Sequence, residues 1–271
     1  MLDQPGLTVN GQVASRDGKP RIRVNLSGGR LYYVDYLDQF GFADRRDFYD
    51  LGCRTYTEFF EDRARVVARQ YYDGQGQVKI TYHYRGGENN VPVLTLIQLR
   101  DGGNEYQFDN EMELRAYFLD QLVQGDSRAV LISDRSDVIL TAFKLMKRSV
   151  PTYQVFHSAF TTDGQPDGKL FAVYKPLTAM LKAGQLNGLI SATHREAQDA
   201  AQRFATTASY GIPVTYLSDV ELNKRVPFEQ RHPGQLIAVA RLTNVKRLDQ
   251  LINTVILLHA KHPQVDLKIY G

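Results

Sequence analysis

The sequence predicts an α/β protein with parallel, helix-covered sheets, preceded by an antiparallel β-meander. Three observations carry this prediction. The first hundred residues are short runs rich in β-branched and aromatic residues, broken by Gly, Asp and Asn turn signals. From residue 109 strands alternate with amphipathic helices, the rhythm of βαβ units. After a proline-containing segment the same rhythm restarts at residue 235.

In the meander the candidate strands are "LTVNGQV", "RIRVNL", "RLYYVDYL", "RARVVARQYY", "QVKITYHY" and "VLTLIQL", separated by "RDGKP", "SGG", "YDGQGQ" and "RGGENN". "YYDGQGQVKITYHY" is the clearest hairpin, with Asp73-Gly74 expected at the positive-φ turn positions. Arg63, Arg65, Arg69 and Lys79 alternate with apolar residues, so one sheet face is expected to meet solvent or a partner. Nothing here has the spacing of a metal or nucleophile site.

"DNEMELRAYFLDQLV" opens the second texture. Asn110 with Glu113 three residues on is a capping-box pattern, and Leu114, Phe118 and Leu122 follow at helical spacing. Then come "AVLISD" (strand), "DVILTAFKLMKR" (helix), "YQVFHS" (strand), "YKPLTAMLKAG" (helix), "LNGLIS" (strand), "REAQDAAQRF" (helix) and "PVTYLSD" (strand). "NKRVPFEQRHPG" reads as a linker. Beyond it, "QLIAVA" is a strand, "KRLDQLINTVILLHAKH" a helix with Leu248, Leu251, Ile252, Val255 and Leu258 on one stripe, and "DLKIYG" a strand. The expected domains are therefore residues 1–108, 109–233 and 234–271.

Composition narrows the function classes. The 271 residues carry a net charge of +3, too weak to imply nucleic acid. Residues 111–271 hold 19 Lys and Arg against 15 Asp and Glu, a mild basicity compatible with a polyanionic substrate. The single cysteine, Cys53, excludes an internal disulfide and suits a reducing cytoplasm. No apolar run reaches transmembrane length and the N-terminus lacks a signal-peptide layout, so at most peripheral membrane association is expected.

The chemistry concentrates in "IAVARLTNVKRLDQLI". A strand, a loop and a helix place unpaired helical N–H groups at the carboxyl edge of a sheet, where they favour an anion. Arg241 leaves the strand end, Thr243 is positioned to cap the helix, and Lys246 falls in the expected first turn, where a cation opposes the helix dipole. A multivalent anion between the two would relieve that opposition, Arg offering a fork and Lys a mobile point charge. Solvated surface cations are the competing explanation from position alone.

The segment "IAVARLTNVKRLDQLINTVILLHAKHPQVDLKIYG" resembles the nucleotide-sugar-binding segment of retaining GT-B glycosyltransferases. The resemblance implies an α/β GT-B fold in which Arg241 and Lys246 grip the diphosphate of a UDP-sugar and stabilise the departing UDP. It implies no cofactor beyond that donor substrate and no metal, in keeping with the lack of an Asp-x-Asp motif. "VPTYQVFHSAF" resembles the family's strand ending in a histidine near the transfer point, which implies a catalytic-site role for His157 by hydrogen bond or polarisation. A satisfied edge histidine is the competing explanation. The other histidines, His83, His194, His232, His259 and His262, show no metal spacing. Asp134, Arg135 and Asp137 read first as a strand-end turn and helix cap, and second as acceptor contacts.

The front half, with "RLYYVDYL", "FYDLGCRTYTEFF" and "YYDGQGQVKITYHY", is similar to an insert in two related groups. One glycosylates wall teichoic acid and the other serine-rich adhesins of the accessory secretion pathway. The resemblance implies that the meander self-associates into a homo-oligomer or grips a polymeric acceptor. The expected activity is transfer of glucose or N-acetylglucosamine from a UDP-sugar to poly(glycerol- or ribitol-phosphate) teichoic acid, with retention. Alternatives are O-N-acetylglucosamine transfer to Ser or Thr of serine-rich adhesins, and a non-catalytic assembly module. The family's glycine-rich loop ahead of the insert and its Glu-x7-Glu pair after the "IYG" strand have no counterpart in place. Glu105 with Glu113, and Glu221 with Glu229, have that spacing elsewhere. The chain is thus expected to be a piece of a transferase, inactive by itself.

Overall fold

A computed structural model of the chain describes residues 6–61, 64–224 and 226–271. Arg63 and its expected place in the alternation lie outside them. The chain divides into two compact units, Met1–Pro213 and Val214–Gly271, so the expected linker goes with the second unit.

Among the described residues of the first unit, ten strands form one antiparallel sheet in strict chain order. They are β1 (Thr8–Asn10), β2 (Val13–Arg16), β3 (Lys19–Ser27), β4 (Arg30–Leu37), β5 (Ala43–Asp50), β6 (Cys53–Glu61), β7 (Arg65–Tyr72), β8 (Val78–Gly86), β9 (Pro92–Asp101) and β10 (Asn104–Phe108). The β7–β8 turn differs in detail from expectation. Asp73 stays in the ordinary region and accepts from the backbone N–H of Gln75 and Gln77, while Gly76 supplies the positive φ of 78°.

The two faces of this sheet are held differently. On one, Tyr33, Phe48, Tyr56 and Tyr71 are register partners across β4 to β7, with Phe48 and Tyr56 stacked at 4.3 Å. Beside them runs a row of alternating charge, Asp35, Arg46, Glu58 and Arg69. Arg46 Nε donates to Asp35 at 2.6 Å and Arg69 Nε to Glu58 at 3.1 Å. On the other face Asp47 is 1% exposed and accepts from the Thr57 hydroxyl at 2.7 Å, with Arg45 and Arg54 alongside. A small apolar cluster of Ala14, Ile22 and Val34 anchors the first strands.

The change of texture at residue 109 is a helix start. Asn110 Oδ1 accepts from the N–H of Met112 and Glu113, and Glu113 reaches back to the N–H of Asp109, opening α1 (Glu111–Leu122). There follow β11 (Leu131–Ser133), α2 (Ser136–Phe143), β12 (Thr152–Phe156), α3 (Leu177–Lys182), β13 (Gly188–Ser191), α4 (His194–Phe204) and β14 (Ser209–Gly211). The four strands form a parallel sheet in the order β11-β12-β13-β14. Helix α2 stops short of the expected Arg148, because the buried Asp120 carboxylate takes the N–H groups of Lys147 and Arg148 at 2.8 to 3.2 Å. The expected strand "PVTYLSD" is not one. The fourth strand is the shorter β14 just before it, and Pro213, lacking an N–H, cannot extend the ladder.

One core serves this α/β layer. Ala116 and Leu119 of α1, Leu140 and Phe143 of α2, Leu177 and Met180 of α3, and Ala200 and Phe204 of α4 pack with Phe156 and Leu189. Gly188 is required where β13 meets its neighbours, since a Cβ there would lie 2.9 Å from the Ala208 carbonyl.

The second unit contains α5 (Asp219–Leu222), β15 (Gln235–Val239), α6 (Leu248–His259) and β16 (Asp266–Tyr270). β15 and β16 pair in parallel, joined through α6 as the restarted rhythm predicts.

Candidate functional site

In the first unit the carboxyl edge of the parallel sheet carries the candidate histidine. Ser133 of β11 is in register with Gln154 of β12, so both strands run out at the same edge. His157 directly follows Phe156, which is fully buried among Phe160, Tyr174 and Phe204 with ring centroids 5.0 to 5.8 Å away. The last residue of the strand is thereby fixed from below while His157 itself stays half-exposed. Its Nε2 lies 2.7 Å from Oδ1 of Asp134, the residue that follows β11. This corrects the reading of Asp134 as a helix cap: α2 has Arg135 at its N-cap and no side-chain cap bond. The pair was not foreseen because its members are 23 residues apart, and only the parallel register brings them together.

Ser133 and Ser191, at the ends of β11 and β13, are buried, and their hydroxyls have no partner among the described residues. Glu196 in the first turn of α4 has its carboxyl pushed up, first by burial and then by the neighbouring Asp199, against the lowering effect of the Ala192 N–H.

In the second unit Arg241 and Lys246 both lie on the connection from β15 to α6. Their place differs from expectation. Asn244–Lys246 form a separate 3₁₀ turn, Arg247 follows with φ 47°, and α6 starts only at Leu248. Thr243 precedes the 3₁₀ turn without a side-chain cap bond, and Lys246 sits ahead of the helix rather than in its first turn. The cause is local: Arg247 breaks the helical path and then clamps Asp249, Nε to Oδ1 at 3.2 Å and Nη2 to Oδ2 at 3.1 Å. That fork holds the Asp249 carboxyl below its ordinary range. Arg241 and Lys246 are exposed, and neither is paired with a carboxylate among the described residues. An open depression of about 590 Å³ beside them is walled by Leu242, Thr243, Asn244, Arg247, Asp249 and Ile252.

The accidental Glu pairs have structural work instead. Glu113 caps α1 and Glu105 meets Gln98 and Arg100, while Glu221 completes a capping box with Ser218 on α5. Among the described residues no three His, Cys, Asp or Glu side chains converge as a metal site would, and no helix is long and apolar enough to cross a membrane.

No family model matches the chain. It is 23% identical over 248 residues to the UDP-N-acetylglucosamine–peptide N-acetylglucosaminyltransferase GtfA subunit of Streptococcus gordonii, covering 88% of this chain and 46% of that protein. It is 21% identical over 231 residues to the poly(ribitol-phosphate) alpha-N-acetylglucosaminyltransferase of Staphylococcus aureus (strain COL), covering 79% and 45%. A crystal structure of an S. aureus TarM mutant with fondaparinux, alpha-GlcNAc-glycerol and UDP superposes with a TM-score of 0.75 at 17% identity, over 99% of this chain and 51% of that one. The chain has a TarM-like fold. The peptide N-acetylglucosaminyltransferase subunit and the poly(ribitol-phosphate) N-acetylglucosaminyltransferase are thus proteins the chain is similar to in sequence, and TarM is one it is similar to in structure. The chain spans about half the length of the curated relatives it matches.

Proposed function

We propose that this chain is part of a retaining GT-B glycosyltransferase that moves glucose or N-acetylglucosamine from a UDP-sugar to poly(glycerol- or ribitol-phosphate) wall teichoic acid. The observation that carries the reading is the pair of exposed cations, Arg241 and Lys246, without carboxylate partners among the described residues, on the β15–α6 connection. Such charges suit a diphosphate, and they are of greatest use where negative charge develops on the departing UDP. In this reading they act without a metal, and His157 contacts the sugar at the reacting centre. The enzyme works in the cytoplasm, and the ten-stranded meander mediates self-association.

Teichoic acid is preferred as acceptor for the TarM-like fold and the mild basicity of residues 111–271. The Arg-rich strands of the meander give it little support, since Arg45, Arg46, Arg54 and Arg69 face carboxylates within the sheet. A second reading, transfer to Ser or Thr of a serine-rich adhesin, is favoured by the 23% identity to the GtfA subunit. The deciding experiment offers UDP-glucose and UDP-N-acetylglucosamine to the full-length protein with poly(ribitol phosphate), poly(glycerol phosphate) or a Ser-rich peptide. Turnover on a polyol phosphate, abolished by Arg241→Ala, is the expected result. Unchanged turnover in Arg241→Ala sinks the site assignment, and turnover on the peptide alone replaces the acceptor.

A further inference from the structure

We propose that Asp134 is a positioning residue for His157: its carboxylate, 2.7 Å from Nε2, fixes the ring so that Nδ1 is presented to a substrate hydroxyl. The inference rests on the reading of His157 as the residue at the reacting centre.

The geometry favours a functional pair over a stabilising one. The Asp134 and His157 side chains are 67% and 48% exposed, and so exposed a hydrogen-bonded pair adds little to folding. Both backbones are nevertheless held firmly. Ser133, just before Asp134, is 1% exposed, and Phe156, just before His157, is fully buried. Two rigid strand ends of a parallel sheet therefore bring an imidazole and a carboxylate together at the edge where open α/β sheets take their ligands. Asp134 does not spend its side chain on capping α2, although it stands close ahead of it. His157 Nδ1 makes no hydrogen bond among the described residues.

A carboxylate accepting from one ring nitrogen selects the tautomer protonated there. With Nε2–H donating to Asp134, Nδ1 keeps its lone pair and accepts a hydrogen bond. Its natural partner is an O–H, which a sugar or polyol hydroxyl supplies. Without Asp134 the ring rotates and exchanges tautomers, and only a fraction of molecules offer Nδ1 correctly.

The test is a double-mutant cycle in the full-length protein, following UDP release from UDP-N-acetylglucosamine and from UDP-glucose. Asp134→Ala is expected to lower kcat roughly tenfold to a hundredfold, short of the roughly 10⁴-fold upper end for losing an acid–base group outright. The donor KM and the melting temperature should stay nearly constant. Asp134→Glu should recover part of the loss, and Asp134→Ala should cost nothing further in a His157→Ala background. Unimpaired turnover in Asp134→Ala beside an impaired His157→Ala overturns this proposal alone, as does full additivity in the double mutant. Unchanged turnover in His157→Ala overturns it together with the site reading beneath it.

Discussion

Replacing Phe156 with alanine tests how the first unit holds its candidate histidine. Phe156 is fully buried, and its ring lies 5.3 Å from Phe160, 5.0 Å from Tyr174 and 5.8 Å from Phe204. Burial this complete leaves a cavity when the ring is removed, and β12 sits between β11 and β13, so the backbone cannot collapse into the space. Phe→Ala at such a site costs about 3 to 5 kcal/mol. Spread over a unit of this size, each kcal/mol lowers the melting temperature by about 2 to 4 °C, so a fall of roughly 6 to 20 °C is expected. The assay is scanning calorimetry of the full-length protein, with Phe156→Leu as a control expected to lose much less. A fall below about 3 °C in Phe156→Ala would refute the argument. It would mean that this aromatic cluster is not what fixes the strand end beneath His157.

Two further substitutions probe other parts of the first unit. Asp120→Ala leaves the N–H groups of Lys147 and Arg148 without their acceptor and should cost about 1 to 3 kcal/mol by urea unfolding, with Asp120→Asn intermediate. Equal stabilities of wild type and Asp120→Ala would show that the α2–β12 connection holds itself. Tyr82 has its phenol pushed up from 10 to about 12, by burial first and then by the charge of Glu111. The neutral phenol is therefore favoured in the fold. The stability it contributes is fully present below pH 10 and is lost as pH rises through 12. Tyr82→Phe should match wild type at pH 8 and unfold less readily between pH 10 and 12. Superimposable alkaline unfolding curves would contradict this.

What was legible in the sequence was what depends on near neighbours. The capping by Asn110 and the alternation of helix and strand both follow from residues within a few positions of each other. The turn at Asp73–Gln77 was placed correctly, but its positive φ fell on Gly76 because Asp73 can fold its carboxylate over the loop instead. The errors came where a distant group intervenes. Asp120 cuts α2 short from 27 residues away, and β14 rather than "PVTYLSD" completes the sheet because Leu189 to Ser191 select it by register. The Asp134–His157 contact is of the same kind. At the mouth of α6 the local pattern misled for another reason. Thr243 suggests a helix cap, yet the left-handed backbone at Arg247, a residue with no special preference for it, postpones the helix.

The strict chain order of the ten-stranded sheet also bears on how that part of the molecule is made. Every ladder joins strands that are consecutive in the chain, across connections of two to five residues. Closing such short loops costs little entropy, and each new strand needs only its predecessor as a template. The sheet can therefore zip up during synthesis, one hairpin after another. Its pairing is linear like that of a repeat array, so loss of a strand at either end leaves the remaining ladders intact.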